Sequence, residues 1–106
     1  MAEIKQRIRT YLAITFHFSD AQIEQMAPGF FVTLRGHLET LERAIAEDPA
    51  QTARAAHTMK GALLNLGLEA EAAIALELEK RGNAGASDIA SLTLLARNLR
   101  KKLTGL

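Results

Sequence analysis

Apolar residues recur along the chain at steps of three and four, and the strict alternation of a strand is missing. That period marks amphipathic helices. Ile4, Ile8, Tyr11 and Leu12 form a first stripe, which the stretch Thr15-Phe16-His17-Phe18 ends or bends. Ser19 followed by Gln22 has the form of a capping box and opens a short helix through Ile23 and Met26. Pro28 fits the first turn of a new helical segment, or a kink. Phe31, Leu34, Leu38, Leu41 and Ile45 then make a long apolar seam.

Asp48-Pro49 is the next break, with Asp48 able to cap and Pro49 suited to the first helical position. The following helix runs to Leu66 and stops at Gly67, a left-handed C-terminal cap. Another covers Glu69 to Arg81 with Ala70, Ile74 and Leu78 inward. Gly82-Asn83-Ala84-Gly85-Ala86 reads as a loop, and Ser87 or Asp88 caps a last helix with the stripe Ile89, Leu92, Ala96, Leu99 and Leu103. Short connections between such helices predict an all-α fold, an antiparallel up-down four-helix bundle with an additional N-terminal helix. The core helices are expected over 28–47, 50–66, 69–81 and 88–103, with an N-terminal helical segment over 2–26. The 106 residues fit one domain, 1–106.

Composition narrows the function classes. Lys and Arg number 13 against 12 Asp and Glu, so the basic excess expected of a nucleic-acid-binding protein is missing. A hydrophobic fraction of 48% excludes a disordered chain. Cysteine is absent, which removes disulfides, thiolate metal sites and a cysteine nucleophile. No run approaches the roughly 18 apolar residues of a membrane span, and Met1 to Arg7 mixes charge signs without a signal-peptide stretch. A cytoplasmic protein without membrane insertion is expected. Neither phosphate-binding glycine loop occurs, and no ATP-binding kinase domain fits beside this core, so the chain is expected to be no enzyme and to hold no cofactor. His17 and His37 lack companions at metal-ligand spacing, so no metal site is expected. Arg97, Arg100, Lys101 and Lys102 read as a solvated face that complements the dipole of the last helix.

One helix has a face that needs a reason. At about 100° per residue, Thr52, Ala55, Met59, Leu63 and Leu66 fall on the core side. His57 falls opposite, among Ala50, Ala53, Arg54, Lys60, Gly61 and Leu64. The imidazole is therefore expected to be exposed on a rigid helix, between two cations. A glycine inside a helix costs about 0.5–1 kcal/mol relative to alanine. Gly61, one turn beyond His57, opens space for a close approach, and Leu64 offers apolar area to the same visitor. Lys60 and Arg54 each lie within a turn of His57, where cations are expected to disfavour the imidazolium.

The string Ala56-His57-Thr58-Met59-Lys60-Gly61, with Asn65-Leu66-Gly67 after it, resembles the signature of the histidine-containing phosphotransfer (HPt) domain. That pattern is His-x-x-Lys-Gly with a later glycine, and Lys60, Gly61 and Gly67 occupy its places. The helix from Phe31 to Asp48 and the Leu78-Glu79 pair also look like the family, over residues 20–103 in all. Ala62 stands where the family commonly has Ser. The resemblance implies phosphorelay signal transduction: His57 accepts a phosphoryl group from an aspartyl phosphate of a receiver domain and passes it to another receiver. Lys60 would stabilise the phosphoryl charge and Gly61 would give the receiver clearance, with Ala50, Ala53, Arg54 and Leu64 as docking residues. The partners implied are receiver domains of response regulators or hybrid histidine kinases. Mg²⁺ is expected on the receiver, and the chain is expected to be a monomeric, non-catalytic phosphocarrier. The other reading is a non-phosphorylated helical adaptor or inhibitor that docks a receiver or histidine kinase through the same face.

Overall fold

The computed structural model describes residues 2–84 and 88–104, and every regular element among them is helical. Helix α1 spans Ala2–Phe16 and α2 spans Asp20–Glu47. A 3₁₀ turn, Pro49–Gln51, leads into α3 at Thr52–Leu64. Helices α4 and α5 span Glu69–Asn83 and Ile89–Lys102. Helices α2 to α5 each pack on their neighbours in sequence, and α5 returns to α2, which closes a four-helix bundle. The buried seam contains Leu34, Leu38, Leu41, Met59, Leu63, Leu78, Leu92 and Leu99. Fully burying each such side chain is worth about 1.5–3 kcal/mol, which fixes the rotation of every helix about its axis.

The capping box forms as the sequence predicts. The Gln22 backbone N–H donates to Ser19 Oγ at 3.2 Å, and the Ser19 N–H donates to Gln22 Oε1 at 2.8 Å. The helix it opens does not stop near Met26. α2 runs unbroken through Pro28 for 28 residues, so the expected boundary between a 2–26 segment and a helix from 28 is not there. Proline at this interior position removes one bond to the Glu24 carbonyl. Pro28 and Glu24 are both exposed, so the lost bond lies on the outward side of α2. The break lies earlier, where His17 ends α1 in the left-handed region at φ 57°.

Three further expectations shift. In α4 the buried residues are Glu71, Ala72, Ala75 and Leu78, and Ala70 is exposed. Small Ala72 and Ala75 let the packed face come close, and Glu71 turns toward α1. In α5 the seam starts at Leu92, because Ile89 at the helix entrance stays 46% exposed. Gly82 and Asn83 extend α4 instead of forming a loop, while Gly85, Ala86 and Ser87 lie outside the described residues. Asp88 caps α5 by accepting from the Ser91 N–H at 3.1 Å.

Helix α2 is about 42 Å long at 1.5 Å per residue, which matches the 45 Å long axis of the molecule. Its N-terminal part overhangs the shorter helices, and α1 covers that overhang with Ile4, Ile8 and Leu12 buried. Arg9 pairs with Glu24 and Lys5 sits over the Phe31 ring, both on α2, and two further contacts tie α1 to the α3–α4 turn and the start of α4. Tyr11 lies against Gly67, where any Cβ would collide with its ring. Arg7 makes a two-pronged ion pair with the buried Glu71, Nη1 to Oε2 at 2.8 Å and Nη2 to Oε1 at 2.9 Å. The Arg7 guanidinium beside Glu71 holds that carboxyl below its ordinary 4.5, against the opposing effect of burial.

Removing Arg7 would leave Glu71 buried without its countercharge. Arg7→Met should lower stability at neutral pH by about 2–3 kcal/mol, at the low end for a buried pair because Arg7 itself is half-exposed. Arg7→Met with Glu71→Met should recover most of that loss. A carboxyl with a depressed folded pKa stabilises above its unfolded value and loses that contribution as pH falls through the folded one. The wild type should therefore lose stability below about pH 4.5 more steeply than the double variant. Urea titrations at pH 7 and across pH 3–5 would read both effects, and parallel profiles would refute the clamp.

Candidate functional site

The site sits where the first half of α3 faces the second half of α4. Thr52 N–H donates back to the Pro49 carbonyl, so the 3₁₀ turn starts α3; the expected Asp48 side-chain cap does not form. At the other end Leu68 N–H donates to Leu63 O at 3.0 Å and Gly67 N–H to Leu64 O at 3.1 Å. Gly67 is left-handed at φ 75°, so the predicted glycine cap is a Schellman turn. It sends the chain directly back, and α4 runs antiparallel beside α3.

The buried line of α3 is Thr52, Ala56, Met59 and Leu63. Ala56 replaces the expected Ala55, which is half-buried, because α3 is enclosed from two sides by α2 and α4. His57 lies outward with its side chain 66% exposed. Gly61 is exposed, and a Cβ there would meet nothing within 4 Å. Leu64 is 45% exposed. Ala50 and Arg54 are exposed, whereas Ala53 is half-buried under Gly82. Lys60 is half-buried, its side chain 23% exposed.

The reason for Lys60's position is Glu79, which the residue pattern alone did not single out. Lys60 Nζ donates to Glu79 Oε1 at 2.9 Å, and His57 Nδ1 lies 2.9 Å from Glu79 Oε2. The Lys60 ammonium, and after it the His57 ring, hold this carboxyl below its ordinary 4.5. An ionised carboxylate only accepts, so Nδ1 carries the proton and donates. On a neutral ring, Nε2 then keeps a free lone pair. The expectation that the two cations dominate the ring's surroundings is thereby corrected: the nearest charge is negative. A signal for Glu79 existed. It adjoins the inward Leu78 and has no cation three or four residues away, whereas Glu77 is paired with Arg81 at 3.1 Å.

A hollow of about 450 Å³ opens beside the ring, lined by Gln51, Arg54, His57, Thr58, Glu79 and Asn83 together with Ala50 and Ala53. Thr58 Oγ donates to the Arg54 carbonyl at 3.2 Å. A second hollow, about 430 Å³, lies between α1, α2 and the end of α3, walled by Phe16, Phe18 and Phe30, and contains no titratable group. Among the described residues no three His, Asp or Glu side chains gather as metal ligands, and no helix is long and apolar enough to cross a membrane.

The sequence model of the family described as Hpt domain matches residues 12–104. The chain belongs to the Hpt domain family. Searches of curated proteins and of solved structures gave no match. Hpt domains are phosphocarriers of phosphorelay, two-component signalling and work with receiver domains. In this Hpt domain the match takes in α2 to α5 and the end of α1, so His57, Lys60, Gly61 and Glu79 all lie within it.

The His57–Glu79 bond has a spectroscopic consequence. In the wild-type Hpt domain ¹⁵N NMR of the imidazole near pH 8 should show the Nδ1–H tautomer in excess. Glu79→Ala should move the ring toward the Nε2–H form. An unchanged pair of ring-nitrogen shifts would show that the carboxylate does not set the tautomer.

Proposed function

We propose that His57 carries the phosphoryl group of a phosphorelay, taking it from an aspartyl phosphate of one receiver domain and giving it to an aspartate of another. The observation that supports this most is the exposed imidazole whose Nδ1 is held by Glu79 while Nε2 has no partner among the described residues. In the uptake step the Nε2 lone pair attacks phosphorus. The P–N bond forms, the acyl P–O bond breaks, and its electron pair stays on the departing carboxylate. Nδ1 keeps its proton throughout, so no acid–base residue is required. The Glu79 carboxylate offsets the positive charge that develops on the ring. Return transfer is the same step reversed, with neutral imidazole leaving. Phosphoryl transfer is mostly positioning and charge stabilisation, and a rigid helix with an open Nε2 supplies the positioning. Mg²⁺ belongs to the receiver in this reading.

Gly61 serves clearance. Nothing in the fold crowds it, so glycine is not there for packing. The receiver's approach along the face of His57, Gly61 and Leu64 gives it a purpose.

His57→Gln should abolish acid-labile, base-stable phosphate on the chain after mixing with a phosphorylated receiver. Its stability should change by less than about 0.5 kcal/mol, as for most surface substitutions. Uptake at the wild-type rate would place the acceptor elsewhere. Wild-type chain that binds a receiver and never takes up phosphate would instead favour the adaptor reading.

Gly61→Gln separates docking from chemistry. Almost any residue but proline forms helix better than glycine, so the melting temperature should hold or rise. Transfer from a receiver should slow, while uptake from phosphoramidate, which needs little room, should change far less. Receiver transfer at the wild-type rate would remove the clearance role.

A further inference from the structure

Two cations flank His57, three residues before and three after, and the structure treats them differently. Lys60 Nζ is bound to Glu79 Oε1 at 2.9 Å and its side chain is largely enclosed. The other oxygen of that carboxylate holds the Nδ1 edge of the ring. The ion pair is therefore attached to the edge of the imidazole opposite the one that receives phosphorus, and its two charges cancel. Arg54 is exposed, and its guanidinium has no acidic partner among the described residues. Arg7, Arg81 and Arg100 each have one, in Glu71, Glu77 and Glu42; Arg43 and Arg97, like Arg54, have none among the described residues, and what sets Arg54 apart is its place beside His57. No acid stands three or four residues from Arg54 along the chain, where Ala50 and Gln51 of the 3₁₀ turn and His57 and Thr58 of α3 occupy those places. Arg54 lines the same hollow as His57, and it is the cation among the residues lining that hollow; Lys60 does not line it.

We infer that Arg54, and not Lys60, is the cation that meets the phosphoryl oxygens, and that Lys60 is a positioning residue that acts on His57 through Glu79. The inference rests on His57 as the phosphoryl carrier and assigns the charges of that same site. A transferring phosphoryl group spreads negative charge over three oxygens, and a guanidinium fork matches two of them at once. The Lys60 ammonium, by contrast, keeps the carboxylate ionised and in place, so that Nδ1 stays the protonated nitrogen.

The test uses the full chain and two donors, a phosphorylated receiver and phosphoramidate. Arg54→Gln should slow phosphohistidine formation from both donors by about 100-fold, the lower end of the loss seen when one charge-stabilising donor is removed. With the receiver the loss should fall in kcat more than in KM, and the His57 ¹⁵N ring shifts should be unchanged. Arg54→Lys should recover part of the rate. Lys60→Gln should alter the ring-nitrogen shifts, and Arg54→Gln should slow phosphoramidate uptake more than Lys60→Gln does. If Arg54→Gln takes up phosphate at the wild-type rate, while Lys60→Gln slows both donors with the ring shifts unchanged, the assignment is reversed and overturned. A receiver-specific loss in KM alone would make Arg54 a docking residue and would also overturn it. Failure of the wild type to form phosphohistidine from either donor would defeat the carrier reading itself, a result distinct from both.

Discussion

At Gly82 the backbone of α4 comes so near α3 that an added Cβ would lie 2.8 Å from the Ala53 nitrogen. At the other end of the pair the left-handed Gly67 turns the chain through a Schellman motif. These two glycines set the distance and register of α3 against α4, and the site is a consequence of that register. With the helices antiparallel and this close, the carboxylate of Glu79 falls between His57 and Lys60 and bonds both. A wider spacing would leave Lys60 and Glu79 to solvent as an ordinary surface pair, and exposed pairs of that kind contribute little.

The glycines thus divide by what the fold asks of them. Gly67 and Gly82 are required, one by its φ and the Tyr11 ring, the other by the approach of a neighbouring backbone. Gly61 is not required, since a side chain there would project into open space. A helix that carries a glycine without a packing reason gives up about 0.5–1 kcal/mol. Gly29 and Gly36 of α2 are equally uncrowded, so open space alone assigns no role; Gly61 differs in lying one turn from His57 on the same exposed face, and its clearance role rests on that position.

The bundle was legible because burial is periodic. The α2 seam, the α3 seam apart from Ala55, the α5 seam apart from Ile89, the Ser19 capping box and the Gly67 cap can be read one residue at a time. The exposed His57 was legible for the same reason, as the residue opposite a buried line. What escaped has a common cause. Pro28 reads as a helix start or a kink because local preference disfavours proline inside a helix, and the capped helix that runs through it outweighs that preference. Gly82 looked like loop because its role depends on a helix thirty residues away. The roles of Glu71 and Glu79 have no trace in the helical period because their partners, Arg7, His57 and Lys60, stand on other helices. Contacts between helices carry no periodic trace in either one.

Residues 2–11 of α1 lie before the segment that matches the family, yet they are part of the same packed body. Ile4 and Ile8 are buried, and Arg7 reaches the first turn of α4 through Glu71. Helix α4 is consequently held at both ends. Arg7 and the Gly67 turn fix its start, and the Gly82 contact fixes its last turn. Glu79 lies eight residues beyond Glu71, about 12 Å along the axis at 1.5 Å per residue. A helix pinned at both ends cannot slide or rotate without breaking one of these contacts, so the carboxylate it presents to His57 stays where the imidazole needs it. The clamp on α1 and the bond to the ring are two ends of one rigid element.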